Sequence, residues 1–173
     1  PTKTTDIDVT LTPTGGFTYT EPVYQNGWRV TATPDGTLIN RDDGQTYPYL
    51  FWEGRGGLYS SPTKFWVVKK SDVHTFLVST LAKLGLNQKE TADFIEFWEP
   101  RMQSADYYKI GFHGTEVMDL IAPLTLSQKA NTTLRILMDY QELATPIKAN
   151  PPILPATPVR KGFTVIEWGG VLR

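Results

Sequence analysis

Between Ser71 and Glu99 the apolar residues are spaced differently from those in the stretches on either side. Val73, Phe76, Leu77, Thr80, Leu81 and Leu84 recur at three- and four-residue intervals, which places them on one stripe of a helix. Ser71 or Asp72 can cap that helix, and Gly85 stands where a left-handed residue would end it. Asn87 with Glu90 is close to a capping box for a second helix, in which Ala92, Phe94, Ile95, Phe97 and Trp98 form a broad apolar face before Pro100. The spacing therefore predicts an αα-hairpin over 71–99.

The flanks read with period two. In DIDVTLTP, Ile7, Val9 and Leu11 fall on one face and Asp6, Asp8 and Thr10 on the other, as in a half-buried strand. Thr14-Gly15-Gly16 turns this strand into FTYTEPVY. Pro34-Asp35-Gly36 and Asp42-Asp43-Gly44 supply further turns between β-favouring runs, so consecutive hairpins are expected. After Pro100 the pattern returns in DYYKIGFHG, in TTLRILMDYQ and in GFTVIEWGGVL. Before the last of these, five prolines fall in the thirteen residues from Pro146 to Pro158. Such a segment cannot be a helix or a central strand and must cross the surface as an extended strap. The expected fold is a single α+β domain, 1–173: a mostly antiparallel β-sheet with the αα-hairpin packed on one face and a Pro-rich strap before the last strand. It is β-rich over 1–70, helical over 71–99, and β-rich again over 104–173 with the Pro-rich segment at 146–158.

Composition narrows the chemistry. With 173 residues and 40% hydrophobic content the chain can bury one substantial core. Lys and Arg number 17 against 18 Asp and Glu, so no global field draws a polyanion and nucleic acid is not an expected partner. The exposed positions of the second helix carry Glu90, Asp93, Glu96 and Glu99 against Lys89 alone, which argues against a DNA-reading helix-turn-helix. Cys is absent and His occurs only as His74 and His113, so disulfides, thiol catalysis, cysteine zinc clusters and three-His zinc sites fall away. The Asp-rich turn lacks the ligand spacing of a calcium loop. GRGG lacks the strand-to-helix context and Lys-Ser/Thr of a phosphate loop, and no G-x-S-x-G elbow accompanies Ser60 or Ser61. No metal or cofactor is implied. No apolar run reaches the length of a membrane span, and a chain starting at Pro1 reads as an excised segment.

Three pairs hold the remaining functional signal: Trp52-Glu53, Trp98-Glu99 and Glu167-Trp168. If they converged, carboxylates among indole rings would offer either a glycosidase-like acid and base, with Glu53, Glu99 and Glu167 as candidate catalytic residues and Asp106 beside them, or a recognition groove without chemistry. On strands, however, adjacent residues face opposite ways, so Trp52 and Glu53 share a wall only at a bulge. Candidate binding residues are Trp52, Glu53, Arg55, Tyr59, His113 and Trp168, with the glycine loop GRGG as the part most exposed to a partner.

The segments TTDIDVTL, GWRVTATPDGTL, YPYLFWEG, the Leu-Gly-Leu turn, DFIEFWEP and GFTVIEWGG, taken in order, resemble an uncharacterised bacterial domain family with distant fungal relatives, often preceded by a KPVIYLYP-like segment. The resemblance covers nearly the whole chain and would make Pro1 the last residue of that lead-in. It implies a C-terminal module of exported or surface proteins and carries no catalytic residue. The expected function is a non-catalytic surface-associated or secreted module for protein, glycan or self-association, the last through an exposed sheet edge. A carboxylate-based hydrolase acting on glycans and a purely structural spacer are the alternatives. The expected location is extracellular or cell surface, with a cytoplasmic one left open.

Overall fold

The computed structural model describes residues 1–55 and 59–173. The chain is α+β, with mostly antiparallel sheets and an αα-hairpin. It folds as two compact units. Unit 1 comprises Pro1–Tyr59, Glu116–Thr133 and Arg160–Val165, and unit 2 comprises Ser60–Thr115, Leu134–Val159 and Ile166–Arg173.

In unit 1, β1 (Thr5–Leu11) lies between β3 (Trp28–Ala32) and β9 (Leu124–Leu126), with Ile7 opposite Val30 and Leu11 opposite Leu124. β4 (Leu38–Asn40) and β5 (Thr46–Tyr47) continue the antiparallel sheet outward from β3. The alternation in β1 is realised as the sequence predicts: Ile7, Val9 and Leu11 are buried, while Asp6 and Asp8 face out, where Thr31 donates to Asp6 at 2.6 Å and Arg41 bonds Asp8. These exposed polar pairs each contribute at most about 1 kcal/mol.

Two features of unit 1 depart from the expectation. β2 (Phe17–Glu21) does not form a hairpin with β1; it pairs antiparallel with β6 (Phe51–Gly54) in a separate two-stranded ribbon. The Thr14–Gly16 turn therefore leads the chain out of the first sheet, and the partner of β2 arrives thirty residues later in sequence, beyond the reach of local turn signals. A helix absent from the period-two reading of 104–173 also appears, α3 (Thr115–Ile121), which buries Met118, Ile121 and the following Ala122. The three- and four-residue spacing was present there but is too short to stand out. Thr14 N donates to Ile121 O at 2.8 Å and Thr12 N to Pro123 O at 3.0 Å, which fixes the end of α3 to the strand leaving β1.

Unit 2 is built on a sheet in the order β11-β10-β8-β7, made of β7 (Trp66–Lys69), β8 (Tyr107–His113), β10 (Thr132–Leu143) and β11 (Thr164–Leu172). β8 runs antiparallel to both neighbours, with Ile110 opposite Trp66 on one side and Tyr140 on the other. β11 runs parallel to β10: Glu167 meets Arg135, Gly169 faces Leu137, and Arg173 N donates to Tyr140 O. Parallel neighbours need a long crossover, and the proline-rich strap supplies it, with neither helix nor strand apart from one bridge pairing Asn150 with Phe65.

The αα-hairpin covers one face of this sheet. α1 (Val73–Leu84) buries Val73, Leu77, Thr80 and Leu81 and ends at Gly85, whose φ of 103° is the left-handed cap expected there. Its N-cap Asp72 makes no side-chain cap bond, because a 3-10 turn over Lys70–Asp72 leads into the helix instead. α2 (Gln88–Trp98) starts with a complete Asn87/Glu90 capping box. It buries Thr91, Phe94 and Ile95, whereas Ala92, expected on the apolar face, is exposed. Together with Val68, Tyr108, Ile110, Ile136, Met138 and Tyr140 these residues form one apolar cluster, onto whose flank Trp98 and Trp168 pack.

Close approach of β11 to α2 depends on Gly170. A β-carbon there would lie 2.8 to 3.0 Å from three atoms of the Trp98 indole. Gly170→Ala is expected to cost about 1–3 kcal/mol in urea unfolding through overpacking, and Trp98→Phe in the same chain to return part of that loss. A Gly170→Ala variant as stable as the parent would show that the indole can move aside.

Candidate functional site

The aromatic run YPYLFWEG ends in β6, one strand of the ribbon. A register shift between Phe17 and Tyr19 breaks the alternation of β2, so Phe17 and Trp52 turn to one face and Tyr19, Glu21, Phe51 and Glu53 to the other. On the inner face Trp52 lies 6.1 Å from Phe17, which packs on Tyr24 at 4.5 Å and Trp28 at 6.2 Å. Trp28 Nε1 donates to Pro22 O at 2.8 Å. Trp52 thus belongs to a packed ring cluster.

The outer face is different in character. Tyr19 is 50% exposed and meets Phe51 edge-on at 5.9 Å, and Tyr49 is 42% exposed. Glu53 stands opposite Tyr19, and Glu21 opposite Phe51. The Tyr19 hydroxyl donates to Glu21, and the Tyr47 hydroxyl donates to Asp43 at 2.8 Å. The hydrogen bond to Glu21, then that carboxylate's charge, with Glu53 adding to it, push the Tyr19 phenol above its ordinary range. Tyr47 is raised in the same way by Asp43, with Glu21 close enough to contribute. Aromatic faces and oriented carboxylates therefore share one surface. Arg55 follows the ribbon, exposed, its backbone N–H donating to Gly16 O at 3.1 Å. Tyr59 is half-buried. The rest of the glycine loop, 56–58, lies outside the described residues.

The remaining candidates belong to unit 2. Glu99 Oε2 lies 2.9 Å from His74 Nδ1 on the helical side of the sheet. Glu167 accepts from Arg135 Nε at 2.5 Å on the opposite face of β11 from Trp168, whose ring packs 5.3 Å from Phe94. The sheet therefore separates Glu99 from Glu167, as the opposed directions of neighbouring strand residues require. Asp106 is exposed, and its carbonyl accepts from Lys70 N. His113, at the end of β8, is half-buried; burial pushes its imidazole below the ordinary value, with Asp139 opposing and Arg173 reinforcing the shift.

Beside His113 a cavity of about 310 Å³ opens between Trp66, Phe112, Leu134, Ile136 and the strap residues Pro152 and Leu154. Its lining is mostly apolar, with Arg135 and His113 also bordering it. The strap over it is fastened at Asn150, whose side chain accepts from Lys64 Nζ at 3.0 Å and donates to Thr63 O at 2.9 Å. Further along, Pro158 lies against Gly85.

Sequence reasoning missed Tyr19, Glu21 and Phe51 as a surface because β2 pairs with β6, a strand distant in sequence, rather than with β1. It also missed Arg135, which a period-two reading sends to solvent and the fold buries. Among the described residues no group of three or more His, Asp and Glu side chains is placed to hold a metal ion, and no helix is long and apolar enough to cross a membrane. No family model, no curated protein and no solved structure matches the chain. The family resemblance therefore rests on the six segments alone.

Proposed function

We propose that the chain is a non-catalytic binding module for protein, glycan or its own copies, and that the outer face of the β2–β6 ribbon is its ligand-facing surface. One observation carries this reading: Tyr19 stands half-exposed against Phe51, with the Glu21 and Glu53 carboxylates on the same face. Rings with one face in solvent stack on sugar rings or side chains, and fixed carboxylates orient what they stack against. The carboxylates of unit 2 that a hydrolase would need are instead held by basic partners, Glu99 by His74 and Glu167 by Arg135. An extracellular or cell-surface setting goes with this reading and draws its support from the family resemblance.

Titrating wild type and Tyr19→Ala against a panel of neutral and basic oligosaccharides, and following mass against concentration for both, tests the proposal. At least one binding event is expected, weakened about tenfold or more in Tyr19→Ala at unchanged melting temperature. Binding that ignores Tyr19→Ala would remove the ribbon as the site, and release of reducing sugar that Glu167→Gln abolishes would favour the hydrolase.

A further inference from the structure

We infer that the ribbon of one copy receives the proline-rich strap of a second copy; this rests on the ribbon being the binding surface. The chain carries both halves of the contact. From Ala144 to Gly162 the strap holds Lys148, Arg160 and Lys161 and no acid, while the ribbon surface and its neighbouring turn present Glu21, Asp43 and Glu53. Opposed patches of this kind steer encounter and fix register.

Shape agrees with charge. On the strap, Pro152 to Pro155 all border the cavity, with Pro152 and Leu154 half-buried and Ile153 and Pro155, like Pro151 and Val159, exposed, Ile153 at 99% and Val159 at 74%. Pro151, Ile153, Pro155 and Val159 together make an exposed apolar stretch on a segment fastened at Asn150, and contiguous exposed apolar surface marks contact sites. Proline rings in an extended chain dock on aromatic faces at small entropic cost, because their φ is already set. Tyr19, 50% exposed and set edge-on to Phe51 at 60°, offers such a face to a few strap residues. Among the described residues β2 and β6 pair only with each other, so the ribbon also keeps outer edges on which an extended chain can lie.

Sedimentation equilibrium from micromolar to about 1 mM tests this with two variants altered only at exposed positions, Tyr19→Ala/Glu53→Lys on the ribbon and Ile153→Ser/Pro155→Ser on the strap. Wild type is expected to gain mass with concentration and to lose that gain at high salt. Each variant alone should stay monomeric at concentrations where wild type associates. The equimolar mixture should form a 1:1 pair, since one partner retains the strap and the other the ribbon; a variant that had merely lost its fold could not be rescued in this way. A strictly monomeric wild type, or association without rescue in the mixture, overturns the inference. If it fails while Tyr19→Ala still weakens binding of an oligosaccharide, only the occupant is wrong. If Tyr19→Ala alters no binding at all, the ribbon reading falls with it.

Discussion

Arg135→Met is expected to lower stability by about 3–5 kcal/mol, the cost of leaving a buried charge without its partner. The Arg135 side chain has no solvent exposure and that of Glu167 only 15%. In the wild type the guanidinium and carboxylate compensate each other at 2.5 Å, while Arg135 N donates to Thr115 Oγ1 at 3.3 Å. Methionine matches the volume but removes the guanidinium that bonds Glu167. Replacing both residues, Arg135→Met with Glu167→Leu, is expected to return most of the loss, because a well-packed apolar pair avoids the desolvation that the ionic pair must offset. Urea unfolding of the two single variants and the double variant measures the coupling. A single variant that loses less than about 1 kcal/mol would mean that water reaches Glu167 and the pair acts as a surface one.

Phe94→Ala should be comparably severe, about 3–5 kcal/mol. Phe94 has no exposed surface and its ring touches both indoles that tie α2 to β11, at 5.3 Å for Trp168 and 6.3 Å for Trp98. Removing it empties the middle of the cluster while Trp98, wedged by Tyr140 and Gly170, cannot collapse into the gap. Ala92→Ser two residues earlier, on the exposed side, should stay within about 0.5 kcal/mol. Chemical unfolding monitored by tryptophan fluorescence distinguishes the two, and equal losses would mean that α2 is packed through a different face.

The elements that local spacing controls were legible in the chain. β1, β8, β10 and β11 lie where period two puts them, and the helices begin and end at Asn87 and Gly85, as the capping chemistry requires. Pairing between distant segments was not. Nothing near Phe17 announces Gly54 as its partner, and nothing near Glu21 announces Phe51, so the ribbon and its outer face had to come from the fold. Arg135 and Asp139 illustrate the same limit in another form. Their alternation with Leu134, Ile136 and Met138 is a correct statement that one face of β10 is polar, yet both faces are buried from Arg135 to Tyr140. Periodicity reports which residues share a side; it does not report what covers that side. The Glu-aromatic pairs are the converse case: the rule that neighbours on a strand diverge already separates Glu167 from Trp168, and that is how β11 places them.

The parallel docking of β11 makes the strap the sole covalent route by which that strand reaches β10. Strap residues such as Ile153 and Pro155 lie open to a protease, away from the Asn150 fastening and the Pro158 contact with Gly85. One cut there would leave the contacts of the sheet in place, with Arg135 still holding Glu167 and Tyr140 still bonded to Arg173, but the two pieces would no longer be covalently joined. Their union would obey mass action, so dilution alone could release the last strand from a protein that had lost no contact.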